Sequence, residues 1–245
     1  MNKKIIGIFV CMLLIVTAIS VTGATNVQTI RNFWENNDLE RNPSTYQSTP
    51  VDSPGDIAIA IVAEVTLVDD PYNLLGGAIN VGDKIKGKYI YDSTTPDSYP
   101  GYQFVGMYEH FTTPYGIELK CGGLVFKTDP NNVEFAITIF NDFYYYYGDA
   151  YAPFSVNNLD LSNGNKVSFI GWALTDSTGN ALSSDALPTT APVLSDWSGN
   201  ELFIDGYNPS DPFQLYYIEA RVTKATLSRS KTRDVHSITQ PILNW

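Results

Sequence analysis

Cysteine, histidine and basic residues are all scarce in this sequence, and each shortage excludes something. There are two cysteines in 245 residues. Cys11 lies in an apolar run near the start, so Cys121 is the single cysteine of the remaining chain. An intramolecular disulfide is therefore excluded, and stability has to come from packing. Cys121 falls on an apolar strand face, where an inert buried thiol is expected. Of the two histidines, His110 lies within the body of the chain and His236 near its end. A serine or cysteine triad would have only His110 there as its base. No HExxH, GxSxG, GxxxxGKS/T or CxxC pattern occurs. This weakens the metalloprotease, nucleophile-elbow, phosphate-loop and dithiol classes.

The 15 basic residues face 26 acidic ones, a formal charge of −11. Lys3 and Lys4 precede an apolar run from Ile5 to Val21, and Thr22-Gly23-Ala24 supplies small residues for cleavage. That is the pattern of an export signal over residues 1–24. Its removal leaves 13 basic and 26 acidic residues, a charge of −13. Such a surface repels phosphate backbones, so nucleic acid is not an expected partner. No spanning helix is expected after the leader, which implies a secreted, extracellular or cell-surface chain with no stable membrane span.

What the chain does have is turn and strand chemistry: 16 tyrosines, 18 glycines and 14 prolines. Aromatic rings suit a pleated surface, while Gly and Pro interrupt helices. The expected organisation is a leader (1–24), an N-terminal segment and linker with a short helix at Thr29 to Glu40 (25–55), a β domain (56–228) and a C-terminal tail (229–245). The expected fold is all-β, an antiparallel β-sandwich of jelly-roll or Greek-key type with nine or ten strands.

The clearest local signal is YGIELKCGGLVFK, residues 115–127. Gly122-Gly123 suits a type I′ turn, placing Cys121 opposite Leu124, Leu119 opposite Phe126 and Glu118 opposite Lys127, with Ile117 beside Thr128. Alternation predicts a long first strand with Ile57, Ile59, Ile61, Val65 and Leu67 on one face. It also predicts a strand from Tyr102 to Phe111, and an inward set of Val133, Phe135, Ile137 and Ile139. In NDFYYYYGDAYAPF, Gly148-Asp149 suits a type II′ turn. KVSFIGWAL is apolar on both faces, as a central strand would be, with Trp172 buried. The run from Ser177 to Asn200 reads as an ordered loop or flap.

The candidate site residues follow from chemistry. Tyr144, Tyr145, Tyr146, Tyr147 and Tyr151 offer flat faces for stacking on sugar rings, with Asn141 and Asp149 as hydrogen-bonding partners. The competing account is that these tyrosines pack on the core and cover an edge. Asp129, Asn131, Asn132 and Asp142 are the candidate oxygen ligands for calcium, the one cofactor considered, although Asx residues in turns explain the same pattern. Glu109, Glu118, Glu134 and Glu219 take outward strand positions. A pair of them across a groove would suit glycoside hydrolysis, while a solvated sheet face is the stronger explanation.

Across residues 56–225, the stretches VDDPYNLLGGAINVGDKIKGKYIYDSTTPD, GGLVFKTDPNN and WALTDSTGNALSSDALPTTAPVLSDW resemble a group of secreted β-rich proteins, many of which carry a PEP-CTERM sorting tail. The residues up to Trp245 contain no Pro-Glu-Pro signal of that kind, so anchoring by that route is not expected. The resemblance implies an exported surface or matrix module and assigns no catalytic residues. The expected function is a non-catalytic module binding an extracellular polymer or glycan, with calcium as a candidate aid. The alternatives are a carbohydrate-active hydrolase and a self-associating structural protein.

Overall fold

The computed structural model describes residues 55–143 and 148–228. The leader, the Thr29 to Glu40 helix, the linker, Tyr144 to Tyr147 and the tail with His236 lie outside the described residues.

Strand β1 (Asp56–Asp69) and β2 (Lys84–Asp92) pair antiparallel, from Asp56 opposite Asp92 to Glu64 opposite Lys84. β3 (Val105–His110) begins three residues later than alternation predicts. The preceding residues turn instead, with the Tyr102 N–H donating to the Tyr99 carbonyl and Val105 N–H to Tyr102. β4 (Gly116–Cys121) and β5 (Leu124–Lys127) form the expected hairpin with the expected register. Gly122 and Gly123 have φ of 56° and 83°, the left-handed pair that a type I′ turn requires.

β6 (Phe135–Phe143) and β7 (Gly148–Ser155) follow, and here the turn differs from the sequence reading. Gly148 does not turn the chain. It already belongs to β7 and pairs with Phe143, while Asp149 pairs with Asp176 of β8 (Lys166–Asp176). Its φ of 69° is left-handed and a Cβ there would meet the Asp176 carbonyl, while the register irregularity between Phe140 and Phe143 puts its extra residue on β6, where Asp142 has φ of 52°. β9 (Gly199–Asn208) and β10 (Asp211–Leu227) complete ten strands.

All ten join one sheet in the order β3-β6-β7-β8-β9-β10-β1-β2-β4-β5, antiparallel throughout. The sheet curls into a half-barrel, so closure comes from curvature rather than from two separately bonded sheets stacked face to face. Past the end of β5 the chain meets the segment after β7. Thr128 bridges Asn158, the Leu159 N–H donates to the Lys127 carbonyl at 2.8 Å, and Asp129 N–H donates to Asn157 at 2.9 Å. The concave face holds the main core, including Ile59, Leu119, Phe126, Ile137, Trp172 and Ile218. Cys121 is buried there as a free thiol.

Leu67 departs from the expected inward set at 42% exposed. The register shift between Val65 and Leu67 leaves Thr66 as an extra residue in β1 and exchanges the inward and outward positions of β1 beyond it, whereas the shift between Val62 and Ala63 puts its extra residue, Thr223, in β10 and leaves Ile61, Ala63 and Val65 on one face.

Near the middle of the core, Trp172 packs edge-on against Tyr89 and Tyr151, with ring centres 6.1 and 6.4 Å away. The Tyr89 and Tyr151 hydroxyls share one hydrogen bond of 3.0 Å. Burial pushes the pKa of both hydroxyls well above the ordinary tyrosine value. For Tyr151, the neighbouring Tyr89 and Tyr91 hydroxyls add to the effect of burial. Removing one hydroxyl leaves the other without its partner in a dry interior, which costs about 1–3 kcal/mol. Y89F and Y151F are each expected to lower stability by about that amount, and the double variant by less than their sum. Urea denaturation of the three variants checks it, and simple additivity would show that the shared bond contributes nothing.

Candidate functional site

The structure places the sequence-derived candidates in different settings. Tyr151 is 2% exposed and belongs to the core. Asp149 is fully buried, and both its oxygens are engaged within the chain: Oδ1 accepts from the Asp142 N–H at 2.9 Å and Oδ2 from the Leu182 N–H at 2.7 Å. Its role is to fasten the flap, residues 177–198 between β8 and β9, to the β6–β7 end of the sheet. Asn141 is half-buried, and its Oδ1 has no hydrogen-bond partner among the described residues. Neither Tyr151 nor Asp149 offers a surface group to a sugar.

The calcium candidates are not brought together. Asp129, Asn131 and Asn132 precede β6, whereas Asp142 lies at its far end. A strand of this length separates them by roughly 30 Å. Asp129 Oδ1 accepts from the Asn131 N–H at 2.9 Å, an Asx turn. Among the described residues, no three His, Cys, Asp or Glu side chains gather as a metal site would require.

The flap closes one end of the half-barrel and is tied down repeatedly. Asp176 accepts from the Thr178 hydroxyl at 2.7 Å and from the Asn180 N–H at 2.9 Å. The Thr178 hydroxyl, followed by these peptide groups, holds the Asp176 carboxyl below its usual range. Tyr108 and Tyr91 donate their hydroxyls to the carbonyls of Asp185 and Pro188. Leu182, Leu187 and Leu194 pack on the core beneath.

His110 points inward and is 3% exposed. Its Nε2 accepts the Asp92 N–H at 3.1 Å, which makes the ring neutral with its proton on Nδ1, and the Thr95 hydroxyl lies 3.0 Å from the same Nε2. Burial pushes its pKa down to about 4, against a smaller opposite pull from the backbone of Asp92 and Tyr108. A ring that stays neutral and is already engaged at Nε2 is a structural acceptor. Below the ordinary histidine pKa of about 6.5 the unfolded chain takes up a proton that the folded chain refuses. The contribution is complete above that pH and falls away as pH drops towards 4. Between about pH 7 and pH 5 the loss is roughly 2 kcal/mol. His110→Gln, which retains an acceptor, should show that much less loss of stability across the interval. Equal pH slopes in urea denaturation would contradict this.

Glu109, next in the chain, faces the opposite way. It lines a shallow groove on the convex face of β3, β6 and β7 together with Met107, Phe111, Glu134, Ala136 and Phe154. The ladder explains the grouping. Glu109 pairs with Ala136, and Ala136 pairs with Phe154, so three side chains stand side by side across three strands. The His110–Phe135 pair, carried one step further, sets Phe111 opposite Glu134. Glu134 stays on the ladder, its carbonyl accepting the Val156 N–H at 3.2 Å. Glu109 and Glu134 are therefore diagonal neighbours on one face, with Cβ atoms about 7 Å apart. Met107, Ala136 and Phe154 form a packed apolar floor.

No family model matches the chain, and neither the curated proteins nor the solved structures give a significant match. The groove must therefore be judged on its own chemistry. It joins an apolar floor, an aromatic edge and two carboxylates. Sequence reading identifies both glutamates as outward but misses that they are neighbours, and it does not single out Met107, Phe111 or Phe154. The pairing of β3 with β6 skips over the whole β4–β5 hairpin, and no local pattern signals it.

Proposed function

We propose that the chain is an exported, non-catalytic surface or matrix module whose β3–β6–β7 groove binds a carbohydrate. One observation carries the reading: an apolar floor of nearly buried side chains, edged by Phe111, lies directly between two glutamates on the convex sheet face. The C–H face of a sugar ring is apolar and its rim is lined with hydroxyl donors, so floor and carboxylates suit the two parts of one ligand. The leader pattern at residues 1–24 and the resemblance to secreted β-rich proteins support export. Among the described residues, no helix is long and apolar enough to cross a membrane. Calcium has no part in this reading, because its candidate ligands are separated along β6.

Affinity electrophoresis through gels containing neutral polysaccharides tests the proposal. Retardation should appear with at least one polymer and weaken about tenfold or more in F111A and E134A, as losing a central contact does. Retardation unchanged by both substitutions would place binding elsewhere, and no retardation by any glycan would refute the reading.

A second reading rests on the same pair of glutamates. Diagonal neighbours, with Cβ atoms about 7 Å apart, can bring their carboxyl groups into the about 5–9.5 Å range used by glycoside hydrolases. Release of reducing ends by the wild type, abolished in both E109Q and E134Q, would favour hydrolysis over simple binding.

A further inference from the structure

The described residues contain eight basic side chains against 21 acidic ones, and seven of the eight lie on one part of the convex surface. Lys84, Lys86 and Lys88 alternate along β2, facing outward. Register places Lys120 opposite Lys86, Lys127 opposite Glu118, and Lys224 opposite Val62, which is itself opposite Lys86. Arg221 stands opposite Glu64. Only Lys166 lies elsewhere, on β8, paired with Asp160 at 2.7 Å.

Local ion pairs neutralise only part of this strip. Glu64 takes Lys84, and Glu118 takes Lys120 and Lys127 at 3.0 and 2.9 Å. Lys88 stands opposite that same Glu118, whose carboxylate is already shared by two lysines. Lys86, Lys88 and Lys224 have no acidic partner within ion-pair distance among the described residues. Lys86 and Lys120 are like charges directly opposite on neighbouring strands, an arrangement that destabilises a sheet. In so acidic a chain, Lys86, Lys88 and Lys224 stand among these cations without an ion pair to hold them, a feature that a ligand would account for.

We infer that this strip, the outer face of β10, β1, β2, β4 and β5, is a docking surface for an acidic polysaccharide, a linear polymer bearing carboxylates along its length. Charge complementarity selects a polyanion. The spacing suits an extended one, with lysines about 6.7 Å apart along β2 and about 4.8 Å between β2 and β4. Six lysines to one arginine favour dispersed carboxylates, since arginine's planar fork is the better partner for phosphate. No aromatic residue is paired opposite any cation of the strip, so the stacking platform used for single-stranded nucleic acids is not built beside them. The inference does not depend on the β3–β6–β7 groove, which lies towards the opposite end of the same sheet.

The test measures binding of the purified chain to immobilised polygalacturonate, with dextran as the neutral polymer and a short DNA duplex as the phosphate polymer. Wild type should bind polygalacturonate at about 50 mM salt and lose most of that binding at about 500 mM. K86E/K88E and K86Q/K88Q should each bind at least about tenfold more weakly, the reversal more so, while K166E binds as wild type does. All three substitute exposed side chains, and a single cooperative thermal transition verifies their fold. E134A should leave polygalacturonate binding intact, which separates this surface from the groove. Absence of binding, or binding unaffected at Lys86 and Lys88, overturns the inference. Tighter binding to DNA would assign the strip to a phosphate polymer, and salt-sensitive self-association lost in K86E/K88E would assign it to a second copy of this chain. Either result overturns it too.

Discussion

Replacing Trp172 with alanine is expected to lower stability by about 3–5 kcal/mol, the range for emptying a large aromatic site in a packed core. Trp172 is 2% exposed and stands on β8, a strand covered on both faces. Its ring packs edge-on against Tyr89 and Tyr151, and its Nε1–H donates to Asn200 Oδ1 at 3.0 Å. Asn200 in turn donates to the Val222 carbonyl at 2.7 Å, so one side chain ties β8 to β9 and β10. W172A loses the ring's burial and contacts and leaves the buried Asn200 oxygen without its donor. W172F retains most of the packing and should cost less. Denaturant midpoints measure both, and a W172A cost below about 1 kcal/mol would mean that the half-barrel collapses around the vacated space.

The second large effect is expected at Asp149. Hydrogen bonds to a charged acceptor contribute about 1.5–3 kcal/mol each, and Asp149 accepts two from backbone N–H groups in a fully buried position. D149A leaves both donors unsatisfied and should destabilise the chain by about 2–4 kcal/mol. Position decides how the loss is distributed. One donor is Leu182 of the flap, so the 177–198 segment between β8 and β9 should become open to proteolysis and to amide exchange at lower denaturant than the strands. Cleavage confined to 177–198 in D149A, with wild type resistant, is the expected result. Flap protection equal to wild type would show that the tyrosine bonds to Asp185 and Pro188 suffice.

The two residues also show what a sequence can reveal. Trp172 lies in a run apolar on both faces, and its burial follows from that pattern alone. The β4–β5 hairpin is legible for a related reason: a two-residue turn fixes the register of everything within reach of it. Asp149 is not legible. Beside a run of tyrosines, Gly-Asp resembles a surface turn, and only the pairing with Asp176 and the approach of Leu182 from 33 residues away convert it to a buried anchor. Alternation misplaces Leu67 because bulges in a ladder have no signature in an alternating apolar strand.

The same limit applies to the site. Periodicity shows that Glu109 and Glu134 face outward, and then stops. What joins them is long-range topology: β6 returns to pair with β3, and the edge beyond β5 bends round to meet the chain after β7. Strand order also sets the two regions of the convex face apart. The glutamate groove lies towards the β3 end and the lysine strip towards the β5 end, so the outer surface carries opposite charge at its two extremes.

A titration of isotope-labelled protein with the glycan that retards it in gels, followed by amide chemical shifts, tests the location of binding most directly. The largest shifts should fall on Met107, Glu109, Phe111, Glu134, Ala136 and Phe154. Shifts centred on Asn141, Asp149 and Tyr151, with the groove undisturbed, would contradict it.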